Sequence, residues 1–200
     1  MQLIGMLDSP YVRRVAISLR QLEIPFEHRS LSVFGGYAEF QAINPVVKAP
    51  TLVLDDGQTL MESSLILECL QHLAGRSLLP EAPTARIQAT RRIGLALAAC
   101  DKAVQIVYET QRATERQDAA WLARVEEQLH AACAALEAEL QAEPLDGQAP
   151  LDQVGISLAV AWRFIQLYNA ERVPAQRYLQ LAAWSAQAEA LPVFQAFPPT

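Results

Sequence analysis

The chain has 200 residues, 52% hydrophobic and 19% charged, with 16 Lys+Arg against 22 Asp+Glu for a formal net charge of −6. That length accommodates one large domain or two small ones, and the apolar content excludes a disordered chain. The acidic balance argues against a partner nucleic acid held by phosphate contacts. The longest apolar runs, such as residues 93–100, are too short to span a membrane, and Arg13 and Arg14 interrupt any apolar leader. The expectation is a cytoplasmic globular protein with no nucleic-acid or membrane partner.

Residues 2–7 form a short apolar run of strand length. Ser9-Pro10 follows, a hydroxyl N-cap with proline at the first helical position. Val12, Val15, Ala16, Leu19 and Leu22 then recur at helical spacing until Pro25. Residues 26–33 read as a second strand and 37–43 as at most a short helix. Residues 51–54 and 59–61 flank Asp55-Asp56-Gly57-Gln58, a hairpin signal. Ser63 or Ser64 is expected to cap a helix that Gly75 ends. The order strand, helix, strand, short helix, hairpin, helix predicts a mixed four-stranded sheet with helices on its faces.

Residues 79–83 hold two prolines and read as a linker. Beyond them no strand pattern occurs. Helices are expected over 84–112, after the cap Asp118, after the cap Asp152 to about Tyr168, and between Pro174 and Pro192, with a loop at 144–150. The predicted organisation is therefore an α/β domain over 1–78 and an all-α domain over 84–200. Both parts are mildly acidic.

Several chemistries drop out. Cys69, Cys100 and Cys133 stand far apart inside helical patterns, which suits small buried hydrophobes kept reduced. His28, His72 and His130 have no acidic or sulfur partner at metal-ligand spacing, so no metal is assigned. There is no glycine-rich phosphate loop and no Gly-x-Ser-x-Gly elbow.

Three local features remain. Asp8-Ser9-Pro10-Tyr11-Val12-Arg13 places a hydroxyl where a strand turns into a helix. Val47-Lys48-Ala49-Pro50-Thr51 sets a proline just before an apolar strand, where a cis peptide would offer the Ala49 backbone to an extended ligand. Glu62-Ser63-Ser64 puts an acid and two hydroxyls at a helix N-terminus, a ready carboxylate site. Singly, each also reads as an ordinary cap or strand start.

In this order and spacing, together with Asn44-Pro45 and Leu191-Pro192-Val193-Phe194, they resemble the cytosolic glutathione transferases, particularly bacterial members with a Ser-Pro-Phe/Tyr-Val-Arg segment after the first strand. The resemblance covers the whole chain. It implies a thioredoxin-like glutathione-binding domain, a helical domain supplying the electrophile pocket, glutathione as co-substrate, and a homodimer with residues 84–112 and 64–74 near the two-fold axis. By position, Ser9 would hydrogen-bond the glutathione sulfur. Ala49, before a cis Pro50, would pair with the cysteinyl backbone, and Glu62 and Ser63 would hold the γ-glutamyl ammonium and carboxylate. Lys48 would approach the glycyl carboxylate, and Tyr11 and Tyr108 would line the electrophile pocket. Asp101, Arg91 and Arg92 are candidate polar groups of the dimer interface.

The chain departs from the family pattern at Gly155, where an aspartate usually completes the capping box begun by the residue at Asp152. A looser helix start is expected there. Serine rather than cysteine at position 9 favours thiolate activation over thiol–disulfide exchange. The expected activity is addition of glutathione to small apolar electrophiles, a detoxification chemistry. A glutathione-dependent isomerase, lyase or dehalogenase uses the same residues, and a non-catalytic regulator that binds protein partners on this fold is the alternative from another class.

Overall fold

The computed structural model describes residues 1–147 and 150–200, so Gln148 and Ala149 of the expected 144–150 loop lie outside the described residues. It divides into two compact units: Met1–Leu78 with Leu191–Thr200, and Leu79–Ala190.

The first unit is built on strands β1 (Gln2–Ile4), β2 (Glu27–Arg29), β3 (Thr51–Val53) and β4 (Thr59–Met61). They form a four-stranded mixed sheet in the order β2-β1-β3-β4. β1 runs parallel to β2, with Leu3 beside His28, and antiparallel to β3, with Leu3 beside Leu52. β3 and β4 close the hairpin in register Leu52 to Leu60. Helices α1 (Pro10–Gln21), α2 (Tyr37–Ile43) and α3 (Ser63–Leu73) complete the sequence-expected order. Leu3, Ile4, Leu52, Phe40, Ile66, Leu70 and the length of α1 from Val12 to Leu19 form the core.

β2 is shorter than the expected 26–33. Its partner β1 spans only three residues, and Gly5 turns away at φ +138°, so the parallel ladder has nothing further to pair with. The cap of α3 also differs: it is Glu62, not Ser63 or Ser64, because the carboxylate reaches the first-turn N–H groups that those shorter side chains would otherwise take.

The last ten residues differ as well. They were expected in the helical domain but belong to the first unit, where α8 (Pro192–Gln195) lies. The cause is Arg13, which is 2% exposed in the first turn of α1. A buried guanidinium needs acceptors. Its Nε donates to the Phe197 carbonyl at 2.7 Å and its Nη2 to the Phe194 carbonyl at 3.4 Å. The cation also lies 5.5 Å from the Phe194 ring centroid, and Phe26 stacks on Phe197 at 5.7 Å.

The second unit contains α4 (Pro83–Thr110), α5 (Ala119–Ala142), α6 (Gln153–Tyr168) and α7 (Leu179–Glu189), with single 3-10 turns at Thr114–Arg116 and Ala175–Arg177. α6 packs against α4 and α7 and is buried on nearly every face, which accounts for its run of Val, Ile, Leu, Ala and Trp. Asp118 caps α5 by accepting from the Trp121 N–H at 3.0 Å, and Asp152 caps α6 by accepting from the Gly155 N–H at 2.8 Å.

Gly155 does not leave this helix start empty. A Cβ there would stand 2.6 Å from Cζ2 of Trp184, and the Trp184 indole N–H donates to the Gly155 carbonyl at 2.9 Å. The missing side chain is room for a tryptophan, which ties the helix start to α7. Among the described residues no helix is long and apolar enough to cross a membrane.

Candidate active site

The candidate site lies in the first unit, at the starts of α1 and α3 and the loop before β3. Ser9 has extended backbone, and its Oγ accepts from the Val12 N–H at 3.4 Å. That is a long cap bond, and the hydroxyl's own hydrogen remains a donor. Pro10 at the first helical position removes one N–H that the helix could not have satisfied.

Gly5 brings the second segment in. A Cβ at this position would meet Val12 Cγ2 at 2.6 Å and Ala49 Cβ at 3.1 Å, so only glycine lets the end of β1, the first turn of α1 and the Ala49 loop close on one another. The Ala49–Pro50 peptide is cis, as the resemblance implies. The loop leading to it is pinned by buried Asn44. Its Nδ2 donates to Thr51 Oγ1 at 2.8 Å, and its Oδ1 accepts from the Val46 N–H at 3.0 Å. Thr51 Oγ1 in turn donates to the Lys48 carbonyl at 2.7 Å. Val47 sits at φ 52°, where a β-branched residue is strained. The Lys48 side chain is exposed.

Glu62, at φ 72° and ψ 116°, is the second strained residue of the site. Its carboxylate accepts from the Ser64 N–H at 3.2 Å to each oxygen and from the Leu65 N–H at 3.2 Å. Ser63 Oγ lies 3.5 Å from Glu62 Oε1. Behind these residues stands Arg14, 3% exposed, whose Nη1 donates to Ser63 Oγ at 3.2 Å and to Ser64 Oγ at 3.3 Å. Two contacts thus join the three segments: Gly5 joins α1 to the Ala49 loop, and Arg14 joins α1 to the start of α3.

The glutathione S-transferase N-terminal domain family matches residues 3–78. Over its whole length the chain is 31% identical to a glutathione transferase family member from Pseudomonas fluorescens Pf-5, solved with bound glutathione; the match covers 98% of that chain at a TM-score of 0.86. The chain belongs to the glutathione transferase family. A glutathione S-transferase of Methylobacterium radiotolerans JCM 2831, solved with glutathione sulfonate, is similar over 99% of this chain and 94% of its own, at 28% identity and a TM-score of 0.89. Among curated proteins, the uncharacterized GST-like protein YibF of Escherichia coli (strain K12) is 28% identical over 177 residues, covering 86% of this chain and 84% of its own.

Within this transferase fold, Ser9, Ala49, Pro50, Glu62 and Ser63 all fall on the joined segments. Tyr11 is half-buried on α1, whereas Tyr108 is exposed on α4 in the other unit. The candidate interface cations have partners within the chain. Arg91 Nε donates to Glu139 at 2.7 Å, and Arg92 pairs with Glu139 and Glu143 at 3.4 and 2.9 Å. Asp101 faces Lys102 at 3.1 Å.

Sequence reading assigned no role at this site to Arg14 or Asn44. The signal for Arg14 was its place beside Val15 on a helix whose residues Val12, Val15, Ala16 and Leu19 mark an apolar face, and the structure buries the whole run from Val12 to Leu19. Cys100 and Cys133 are buried and Cys69 is half-buried, and none of the three is in a disulfide. Burial pushes the Cys133 thiol up to about 12, which leaves it inert as a nucleophile. Among the described residues, no group of three His, Cys, Asp or Glu side chains could hold a metal ion.

Proposed function

We propose that the chain is a glutathione transferase that binds glutathione on its first unit and activates the thiol for attack on small apolar electrophiles. The observation that carries this reading is the joining of three chemically complementary segments: a hydroxyl at the start of α1, a cis-proline loop, and an acid with two hydroxyls at the start of α3. The relatives solved with glutathione and glutathione sulfonate support the ligand class.

In this mechanism the Ala49 backbone pairs with the cysteinyl part of the tripeptide. Glu62 accepts from the γ-glutamyl ammonium, Ser63 donates to its carboxylate, and Lys48 faces the glycyl carboxylate. Each role matches the donor or acceptor capacity of the residue. Ser9 donates its hydroxyl hydrogen to the sulfur anion, and the N-terminus of α1 favours the same charge. The thiol proton leaves to solvent, the thiolate forms a bond to the electrophilic carbon, and the electrophile's leaving group or π-electron pair accepts the displaced electrons. Tyr11 and Tyr108 are assigned to the electrophile side, and the working state is a homodimer.

Retention on immobilised glutathione, with elution by free glutathione, tests the binding half. A panel of electrophiles assayed with glutathione tests the transfer half. Retention with turnover of at least one electrophile is expected. Failure to bind at neutral pH would instead favour a regulator that uses the fold for protein contacts.

A further inference from the structure

Ser63 and Ser64 are consecutive residues, yet one buried guanidinium nitrogen serves both. Nη1 of Arg14 carries two hydrogens and lies 3.2 and 3.3 Å from the two hydroxyl oxygens. A hydroxyl that accepts from a cation keeps its own hydrogen and becomes a stronger donor; that of Ser63 is directed at Glu62 Oε1 at 3.5 Å, the long limit of a hydrogen bond. At the same helix start, the Glu62 carboxylate already occupies the Ser64 and Leu65 N–H groups. Two of the first-turn backbone donors at this helix start are therefore committed. The hydroxyl pair, backed by a buried positive charge, takes their place.

The resulting charge order is Glu62 carboxylate, serine hydroxyls, Arg14 guanidinium. It is the complement of an α-amino acid head, whose ammonium and carboxylate are held one carbon apart. Arg13, the neighbouring arginine, is engaged instead with the Phe194 and Phe197 carbonyls, so the two buried cations have separate tasks. We propose that Arg14 is a positioning residue for recognition of the γ-glutamyl carboxylate. It does not touch the peptide, but it orients the Ser63 and Ser64 hydroxyls as donors and supplies the charge behind them. This assignment rests on the glutathione reading above and adds the determinant of specificity for the zwitterionic head.

The test compares two peptides by titration calorimetry: glutathione, and 4-aminobutyryl-cysteinylglycine, which keeps the amine but lacks the α-carboxylate. Wild type should prefer glutathione by about ten-fold or more, the range of a charge-assisted hydrogen bond. In Arg14→Gln that preference should fall to roughly three-fold or less through loss of glutathione affinity, with the truncated peptide bound as by wild type. A general loosening of the fold would weaken both peptides alike. Arg14→Gln retaining the wild-type preference, or losing affinity for both peptides equally, overturns the assignment while leaving the glutathione reading intact. If Arg14→Gln does not fold by circular dichroism, Ser63→Ala/Ser64→Ala takes its place under the same criteria. A wild-type chain that binds neither peptide overturns the glutathione reading and this assignment with it.

Discussion

Buried polar groups are used differently in the two units. In the helical unit the buried carboxylates end on backbone N–H groups. Glu137, 7% exposed on α5, accepts from the Gln180 and Leu181 N–H groups at 2.8 and 3.0 Å and so caps α7, which has no side-chain cap of its own. Glu109 does the same for the Asp118 N–H at 2.8 Å, and Asp152 for Gly155. In the first unit Arg14 donates to two side-chain hydroxyls, and Glu62 beside them accepts from the Ser64 and Leu65 N–H groups and lies 3.5 Å from Ser63 Oγ. Strain follows the same division. Among the described residues, the non-glycine residues at positive φ are Glu23, Val47 and Glu62, all in the first unit, and two of them flank the candidate site. Buried polar groups hold segments together in both units, and in the first unit a buried cation also rests on two side-chain hydroxyls at the candidate site. The contrast can be broken by mutation from either side.

The largest effect is expected in the helical unit. Glu137→Ala removes the acceptor of one buried and one part-buried N–H group at the start of α7, at a cost of about 3 kcal/mol, or roughly 6–12 °C in Tm for a chain of this size. Glutathione affinity should stay as in wild type. A Tm within about 2 °C of wild type, or a loss of affinity at unchanged Tm, would break the assignment of Glu137 to structure alone.

Glu62→Ala should act on both functions at once. Removing an ammonium partner that works equally in ground and transition states raises the glutathione KM with little change in kcat. A charged hydrogen bond of roughly 1.5–3 kcal/mol makes that about ten- to a hundred-fold. The lost cap adds about 1 kcal/mol of destabilisation. Steady-state kinetics beside a melting curve separates the two, and an unchanged KM would place the γ-glutamyl head elsewhere.

Ser9→Ala comes next, at about ten-fold in turnover near pH 7. A free thiol has a pKa near 8.5, and one hydrogen bond from Ser9 would lower the bound thiol by about one to two units. The variant should therefore recover activity as pH rises toward 8.5 while its glutathione affinity holds. The cap bond to Val12 is long, at 3.4 Å, so little stability should be lost with it. A destabilised variant with wild-type turnover at every pH would make Ser9 a cap only.

Element order, the sheet, and the caps at Ser9, Asp118 and Asp152 were legible because they are written in local signals: a hydroxyl before a proline, a turn sequence, an apolar period; the grouping of Ser9, Pro50 and Glu62 came from the family resemblance, not from those signals. What was not legible depends on partners distant in sequence. The short β2 follows from the length of β1, the placement of residues 191–200 from the acceptors Arg13 needs, and the glycine at 155 from a tryptophan 29 positions later. Arg14 belongs to the same class, since its meaning lies in hydroxyls 49 and 50 residues away.

The smallest effect returns to the helical unit and tests whether its caps carry only a structural load. Burial raises the pKa of Asp152 above the usual carboxylate value, and the Gly155 and Val154 N–H groups and the charge of Arg92 oppose that rise without cancelling it. An acid whose folded pKa exceeds its unfolded pKa binds protons more readily when folded. Its contribution to stability therefore falls as pH rises from the unfolded pKa, near 3.9, through the folded value, and is constant above it. Asp152→Asn keeps an oxygen able to cap α6, since Asn and Asp are nearly equivalent at that position, and removes the titration. Denaturant midpoints across the mildly acidic range should show wild type losing a component of stability as pH rises, with the variant flat in that component and as stable as wild type, or slightly more so, at neutral pH. If the variant is instead less stable than wild type at neutral pH by about 1 kcal/mol or more, the carboxylate charge at the start of α6 stabilises the helix more than its burial costs.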